Sequence, residues 1–439
     1  MCLVTMCLRN CNRDCNKVYG WSFFGTDFNH KKLKKGNEEL EYWLTRMLSP
    51  KLNLGFYDLF IEGKRVILLE IEKASIRPVS FKGEEYIRIG SNKQKLKMFP
   101  EKERILWKKF ENLSFEDGIA KTMLSIPEVF ELLDYQPYFK LSNLRLPPEG
   151  EIINKLISED LIRKNEAGKL DITNLGAVLF ARNIEYFKSI KRKTVRVILY
   201  SGKNKIEGSK ETEVKTGYAL AFETIVNTIN NMIPANEQLG DLYRKNVPMY
   251  PVIAVRELVA NALIHQDFSI RGTGTMIEIF SDRIEITNPG TPIVDSTRFI
   301  DSPPKSRNES LASYMRRIGL CEERGSGFDK VVFQTEFYQL PAPLVEVTEE
   351  HTRVVLFAHK DFKEMAKEDK IRACYLHACL KYVNRDYLTN TSLRERFGLK
   401  QNEISKVSRI IKETLELGLI KFKDPNTSPK YYQYLPVWA

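Results

Sequence analysis

The chain has 439 residues, 43% of them hydrophobic and 28% charged, and a formal net charge of +11. That length accommodates about three domains and a sizeable core. No apolar run reaches the roughly 18 residues of a membrane span, and Arg9, Arg13 and Asp14 interrupt any signal-peptide core, so the expectation is a cytoplasmic protein without a membrane partner. The excess of cations favours an acidic partner, nucleic acid ahead of a membrane surface.

Four of the seven cysteines, Cys2, Cys7, Cys11 and Cys15, crowd the start of the chain. Their spacing is not the paired pattern of a zinc site, and they read as a thiol-rich, irregular beginning. Cys321, Cys374 and Cys379 are scattered among apolar residues and read as reduced thiols.

In chain order, residues 36–48 read as a helix burying Leu40, Trp43, Leu44 and Met47. Two strand-like runs, 56–61 and 65–71, flank the turn Glu62-Gly63-Lys64. In the run Glu85-Tyr-Ile-Arg-Ile-Gly-Ser91, Tyr86 and Arg88 alternate with Ile87 and Ile89, which gives one strand face the aromatic and cationic character that suits a phosphate backbone. Arg77-Pro-Val-Ser-Phe81, this run and the helical 101–107 segment resemble the second half of a Schlafen-type AlbA-like domain, over about residues 17–110. Val18-Tyr-Gly20 and Gly25-Thr-Asp-Phe28 resemble the strand pair of its first half. The opening acidic segment that carries the metal-dependent cleavage site of Schlafen nucleases is missing, so nuclease chemistry is disfavoured. Glu70 and Glu72 share a strand face, and an ordinary solvated face is the simpler reading.

Residues 114–133 read as helical, Tyr135-Gln-Pro-Tyr138 as a break and 149–159 as a helix. Segments 160–162 and 170–173 around the turn Asn165-Glu-Ala-Gly168 resemble a small winged-helix ending. Residues 195–200 read as a strand, 202–215 as a basic mobile loop and 219–232 as an amphipathic helix; the whole segment reads as scaffold.

The segment Arg256-Glu-Leu-Val-Ala-Asn-Ala-Leu-Ile-His-Gln-Asp-Phe268 organises the remainder. As a helix of about 3.6 residues per turn it aligns Glu257, Asn261 and His265 on one stripe of an otherwise apolar surface, a candidate site wall because each polar group needs a partner or solvent. A hairpin (275–280, 283–287), the turn Asn288-Pro-Gly290, a basic Pro-rich run Ser302-Pro-Pro-Lys-Ser-Arg-Asn308 and a second glycine turn, Glu323-Arg-Gly-Ser-Gly-Phe328, follow. Together these resemble the Bergerat ATP-binding fold of the GHKL superfamily, and more narrowly the histidine-kinase-like ATPase domain that bacterial transcriptional regulators pair with a Schlafen AlbA-like domain. The resemblance implies ATP and Mg²⁺ as cofactors. Asn261 would hold the metal, Glu257 would act as general base, and His265 would line the same site. Asn288 and Gly290 would form the adenine turn, and Arg307, Asn308, Gly325 and Gly327 the lid and phosphate loop. Where the superfamily has an Asp at the adenine turn this chain has Asn288, a neutral and weaker acceptor.

Residues 361–439 carry 15 Lys+Arg against 10 Asp+Glu. Helices over 371–383, 390–397 and 402–417, then two short strands, resemble a winged helix-turn-helix. Gln401, Asn402, Ser405, Lys406 and Arg409 lie early in its second helix, where a recognition helix meets bases and phosphates.

The expected fold class is multidomain α+β and α/β: an AlbA-like α+β domain (1–110), a connecting region (111–249), a Bergerat-type α/β sandwich (250–360) and a winged helix-turn-helix (361–439). The expected function is an ATP- and DNA-binding transcriptional regulator, with slow ATP hydrolysis open, RNA an alternative ligand and a homodimer compatible with palindromic operators. A Schlafen-like nuclease or defence protein and a non-catalytic scaffold with a decayed ATPase fold are the competing readings. The chain lacks a Gly-x-x-x-x-Gly-Lys-Ser/Thr loop, which disfavours a P-loop helicase.

Overall fold

The computed structural model describes residues 26–439 except 53, 62, 72–73, 75–76, 91, 112–113, 166, 207, 234, 240–243 and 322–326. The cysteine cluster, the 18–20 segment and Gly325 lie outside the described residues. The chain divides into two units, Met1–Leu113 and Ser114–Ala439.

In the first unit a hairpin pairs Leu54–Ile61 with Lys64–Ile71. A separate sheet is ordered Leu48–Ser49, Ser80–Phe81, Glu84–Ile89, Asn92–Lys95, followed by the helix Pro100–Glu111. Tyr86 and Arg88 are exposed while Ile87 and Ile89 are half-buried, as strand alternation requires. The helix read over 36–48 is only Leu40–Met47, because residues 34–35 and 38–39 pair as a tight extended turn, and none of its side chains is fully buried.

The second unit is built on a six-stranded sheet ordered Ser209–Val214, Val195–Tyr200, Met276–Ile279, Arg283–Pro289, His351–Phe357, Leu344–Val347. Its register sets Ile277 opposite Ile286 and Ile279 opposite Ile284, all buried, so one face is continuous apolar surface in the core shared with the helices. The other face sets Glu278 opposite Glu285, a like-charged pair that needs compensation. Lys205 and Tyr200 reach Glu278, and Arg283 and Arg353 reach Glu285.

Three sequence expectations are corrected here. Residues 114–133 are not one helix: a 3-10 turn at Phe115–Asp117 precedes a strand, Ile119–Leu124, whose side chains alternate out and in, and Ser125 with Glu128 then starts a new helix, Ile126–Leu132, through a capping box. The break at 135–138 is instead the first turn of the helix Gln136–Leu141, where Pro137 costs no hydrogen bond. The basic loop after residue 200 contains the edge strand Ser209–Val214, paired antiparallel with Val195–Tyr200. Its Lys-Glu-Thr-Glu run has no apolar face to read, and such charges are what protect a sheet edge. The sheet carrying the 250–360 segment therefore takes in two strands from the region read as connecting.

The Val252–His265 helix buries Ala254, Val255, Leu258, Val259, Ala260, Ala262, Leu263 and Ile264. Burial on nearly every side explains why its sequence is apolar all round, with the polar stripe as the exception. It packs against the helix Gly327–Phe337. The C-terminal region runs Lys367–Val383, Asn390–Arg396 and Ile404–Glu416, then an antiparallel ribbon of Ile420–Phe422 with Tyr434–Pro436. His377 joins it to the sheet unit: one ring nitrogen lies 2.9 Å from Glu336 and the other 3.1 Å from Ser392.

The helix Glu309–Arg317 starts at the Glu116 carboxylate. Oε2 accepts from Ser310 N–H at 3.2 Å, and Oε1 accepts from Leu311 N–H. Glu116 is 4% exposed; burial raises its carboxyl above the usual range, and the hydrogen bonds from Leu311, Ser114 and Ser310 oppose that rise. Glu116→Ala leaves two helix N–H groups without that acceptor, and urea denaturation is expected to show a loss of about 1–3 kcal/mol. An unchanged midpoint would contradict this role for the cap.

Candidate functional site

Glu257, Asn261 and His265 emerge from the Val252–His265 helix into a 190 Å³ cavity. Its other walls are Ile286, Asn288, Thr352 and Val354 from the sheet, residues 291–294, the 302–307 loop, Ala312 and Arg316 of the Glu309–Arg317 helix, Cys321, and Gly327 with Phe328. Eight residues at 1.5 Å rise separate Glu257 from His265, so the cavity wall extends about 12 Å along the helix.

At the Glu257 end, Gly327 opens the Gly327–Phe337 helix directly against the carboxylate: a Cβ there would lie 2.0 Å from Glu257 Oε1. Any larger residue would have to push the Glu257 side chain aside. The Cys321 thiol at the same end is pushed up to about 11, chiefly by burial, with the Glu257 charge adding to it and Arg316 opposing.

At the His265 end, the turn Asn288-Pro289-Gly290 is pinned from three directions. Asp267 N–H donates to Pro289 O at 2.8 Å, Gly290 N–H donates to Glu350 O at 2.6 Å, and Thr352 Oγ1 donates to Gly290 O at 2.7 Å. Gly290 has φ +100°, and a Cβ would meet Asp267 Cβ at 2.8 Å, so this glycine is required by both conformation and space. Asn288 is 7% exposed and its Nδ2 donates to Pro289 O at 3.1 Å, which leaves Oδ1 as a neutral acceptor on the cavity wall.

Arg307 is drawn to this end as well. Nη2 donates to Thr291 O at 2.6 Å and Nη1 to Asp267 at 3.3 Å. Burial alone would raise the Asp267 carboxyl, but hydrogen bonds from Ser269 and the charges of Arg307 and Lys193 hold it below the usual range. Asn308 is not on the cavity wall: it is 4% exposed, and its Nδ2 donates to Ile264 O at 2.7 Å and Gln266 O at 2.9 Å, satisfying the end of the site helix.

Of the nine cavity residues expected from sequence, six line this one space: Glu257, Asn261, His265, Asn288, Arg307 and Gly327. Gly290 and Asn308 stand behind the wall. The expected nucleic-acid residues lie elsewhere. Arg88 is exposed in the first unit, and Gln401, Asn402, Ser405, Lys406 and Arg409 are all exposed around the start of the Ile404–Glu416 helix, which buries Val407, Ile410, Ile411 and Thr414. Gln401 and Asn402 belong to a 3-10 turn, and Lys406 pairs with Glu403 at 2.7 Å.

Sequence reasoning missed Lys193 and Arg316. Lys193 is 3% exposed and donates to Asp267 O at 3.1 Å and Ile270 O at 2.7 Å; burial lowers its ammonium to about 8. No local pattern announces it, since its partners lie more than seventy residues on. Arg316 had a weak signal: it follows Ala312 by one turn, and both face the cavity. Asn261, His265 and Arg316 are half-buried, and among the described residues their side chains make no hydrogen bond, which leaves three polar groups open to one concavity.

Burial, with the charge of Arg307 adding to it, lowers the His265 imidazole from 6.5 to about 4, so it is neutral at pH 7. The unfolded chain takes up a proton near pH 6.5 that the folded chain refuses until about pH 4. Stability that is complete above pH 6.5 is therefore lost as pH falls through that window, by up to about 3 kcal/mol from this residue. His265→Gln is expected to flatten this part of the stability profile measured by urea denaturation at stepped pH; an unchanged slope would reject the assignment.

Comparison with known proteins finds two family models, each matching part of the chain. The family model described as Schlafen, AlbA_2 matches residues 13–97, and that described as "Putative ATP-dependent DNA helicase recG C-terminal" (HATPase_c_4) matches residues 272–356. No curated protein matches the chain. A solved structure, the DIP2311 protein from Corynebacterium diphtheriae, is 16% identical, with 90% of this chain and 79% of that one covered and a TM-score of 0.46. No described helix is long and apolar enough to cross a membrane. The two family matches give the chain a Schlafen AlbA_2 domain and a HATPase_c_4 ATPase domain within a mixed α+β architecture.

Proposed function

We propose that this protein is an ATP-binding, DNA-binding transcriptional regulator of the cytoplasm, in which nucleotide occupancy of the Glu257–His265 cavity changes how its nucleic-acid surfaces are presented. The observation that carries the nucleotide reading is the cavity itself. A carboxylate, a carboxamide and a neutral imidazole on one helix stripe face a glycine-started helix and a basic loop, inside the segment that adjoins and overlaps the ATPase match.

ATP with Mg²⁺ would bring a phosphoanhydride and a cation to this space. Asn261 offers a neutral oxygen to the cation, with no competing partner among the described residues. Asn288 Oδ1 offers an acceptor to an exocyclic amine, and Gly290 keeps its turn close to Asp267. Glu257, at the opposite end from Asn288, is the group able to take a proton from an attacking water.

The attachments of the 302–307 loop favour a role in coupling. Before it, Tyr375 Oη donates to Thr297 O at 2.7 Å, Trp438 Nε1 donates to Tyr375 Oη at 3.0 Å, and Arg298 lies 5.0 Å from the Trp438 ring centre. These contacts tie the loop's base to the C-terminal region, which we read as a winged helix-turn-helix with Gln401, Asn402, Ser405, Lys406 and Arg409 facing DNA. After the loop, the Glu309–Arg317 helix is held by Glu116. A loop that closes on nucleotide pulls on both attachments. Coupling of this kind is typically worth about 1–3 kcal/mol. A symmetric dimer on a palindromic site fits the same reading.

Titration of a non-hydrolysable ATP analogue with Mg²⁺ into the full chain tests the site. Wild type is expected to bind and Asn261→Ala to bind at least about tenfold more weakly. Glu257→Gln is expected to keep binding and to lower any hydrolysis about 10²–10⁴-fold. Absence of binding by wild type would leave the decayed-scaffold reading in its place.

A further inference from the structure

We infer that Arg316 is the cation that receives the terminal phosphate and lets this site distinguish a nucleoside triphosphate from a diphosphate. The inference rests on the nucleotide reading above and assigns a residue that the motifs do not.

Among the described residues three cations line the cavity: Lys305, Arg307 and Arg316. Arg307 has both terminal nitrogens engaged at the His265 end, by Thr291 O and Asp267, with its Nε buried without a partner. Lys305 is exposed on the 302–307 loop. Arg316 differs from both. It projects from a helix whose first turn is fixed by Glu116 and whose Leu311, Ala312, Tyr314 and Met315 are buried, so its backbone is set before any loop moves. It is half-buried and has no side-chain partner among the described residues. The adjacent Arg317 is already satisfied: it pairs with Glu159 and lies 4.6 Å from the Tyr314 ring centre.

Arg316 also stands at the correct end. The helix that carries it begins after Asn308, whose Nδ2 serves the His265 end of the site helix. Arg316 lies eight residues, about 12 Å, farther along it, and the charges of Arg316 and Glu257 are both felt at Cys321. The Gly327 helix N-terminus meets Glu257 there. A nucleotide whose base sits at the Asn288 turn extends its phosphates along the site helix toward this end. A diphosphate stops short of it. A guanidinium offers a planar fork to phosphate oxygens and stays charged at every relevant pH. A group at the last turn of a helix can instead serve the helix dipole alone, and that structural role makes a different prediction: equal effects on every ligand.

The test is calorimetric titration of the full chain with Mg²⁺ and either a non-hydrolysable ATP analogue or ADP, using wild type, Arg316→Gln, Arg316→Lys and Arg317→Gln. Arg316→Gln is expected to weaken the triphosphate at least about tenfold while ADP affinity stays within about threefold. Arg316→Lys should recover part of the loss, and Arg317→Gln should leave the ratio of the two affinities unchanged. Equal weakening of both ligands in Arg316→Gln, or an unchanged ratio, overturns the inference while leaving the nucleotide site in place. Failure of wild type to bind either ligand overturns the nucleotide reading itself. Arg316→Lys retains the charge, so it keeps the comparison available if the neutral variant folds poorly.

Discussion

The architecture of the site depends on how the end of one helix is satisfied. The Val252–His265 helix stops inside the protein, where its last carbonyls and those of the following turn lack intrahelical partners. Asn308 Nδ2 serves Ile264 O and Gln266 O, Gln266 Nε2 serves Leu263 O at 3.0 Å, and the Lys193 ammonium serves Asp267 O and Ile270 O. A buried cation at a helix C-terminus complements the helix dipole in a setting that screens it little. With that end fixed, Asp267 is held against the Gly290 turn and Arg307, and the polar stripe faces the cavity. Phe115 stacks on Phe268 at 4.7 Å between ring centres, so the same knot also holds the segment that carries Glu116.

From this knot the proposed regulation follows mechanically. The 302–307 loop closes the cavity on one side, and its two attachments lead to different parts of the chain: Thr297 and Arg298 to Tyr375 and Trp438, Asn308 and Ser310 to the site helix and Glu116. The Gly327–Phe337 helix gives a second route. It begins against Glu257 and, near its end, meets His377 through Glu336, while Arg396 of the next C-terminal helix donates to Leu340 O at 2.6 Å. A ligand that shifts Glu257 or the loop therefore acts on packed elements with few alternative arrangements, which is the condition for a local event to be felt at a distance.

Much of this was readable from the residues, and the rest was hidden for physical reasons. The stripe of Glu257, Asn261 and His265 stood out because three polar groups at helical spacing interrupt an apolar run, and the Met276–Ile279 and Arg283–Pro289 hairpin because its apolar residues alternate. The strand Ser209–Val214 was invisible because an edge strand of charged residues has no apolar period. Ile119–Leu124 was absorbed into a false helix because one strand turn and a capping box sit within a few residues of each other. Asn308 resembled a ligand in sequence, whereas its amide serves the helix end. Lys193 takes its meaning from partners more than seventy residues along the chain, which no local spacing encodes, and Arg316 offered only its place one turn after Ala312.

The central claim is that nucleotide and nucleic acid influence each other through this loop. The most direct measurement is the affinity of the full chain for a short DNA duplex, at fixed salt, with and without a saturating non-hydrolysable ATP analogue and Mg²⁺. The account predicts a change of about 5–150-fold in either direction, with the reciprocal change in nucleotide affinity when DNA is present. Binding of both ligands with identical affinities alone and together would contradict it.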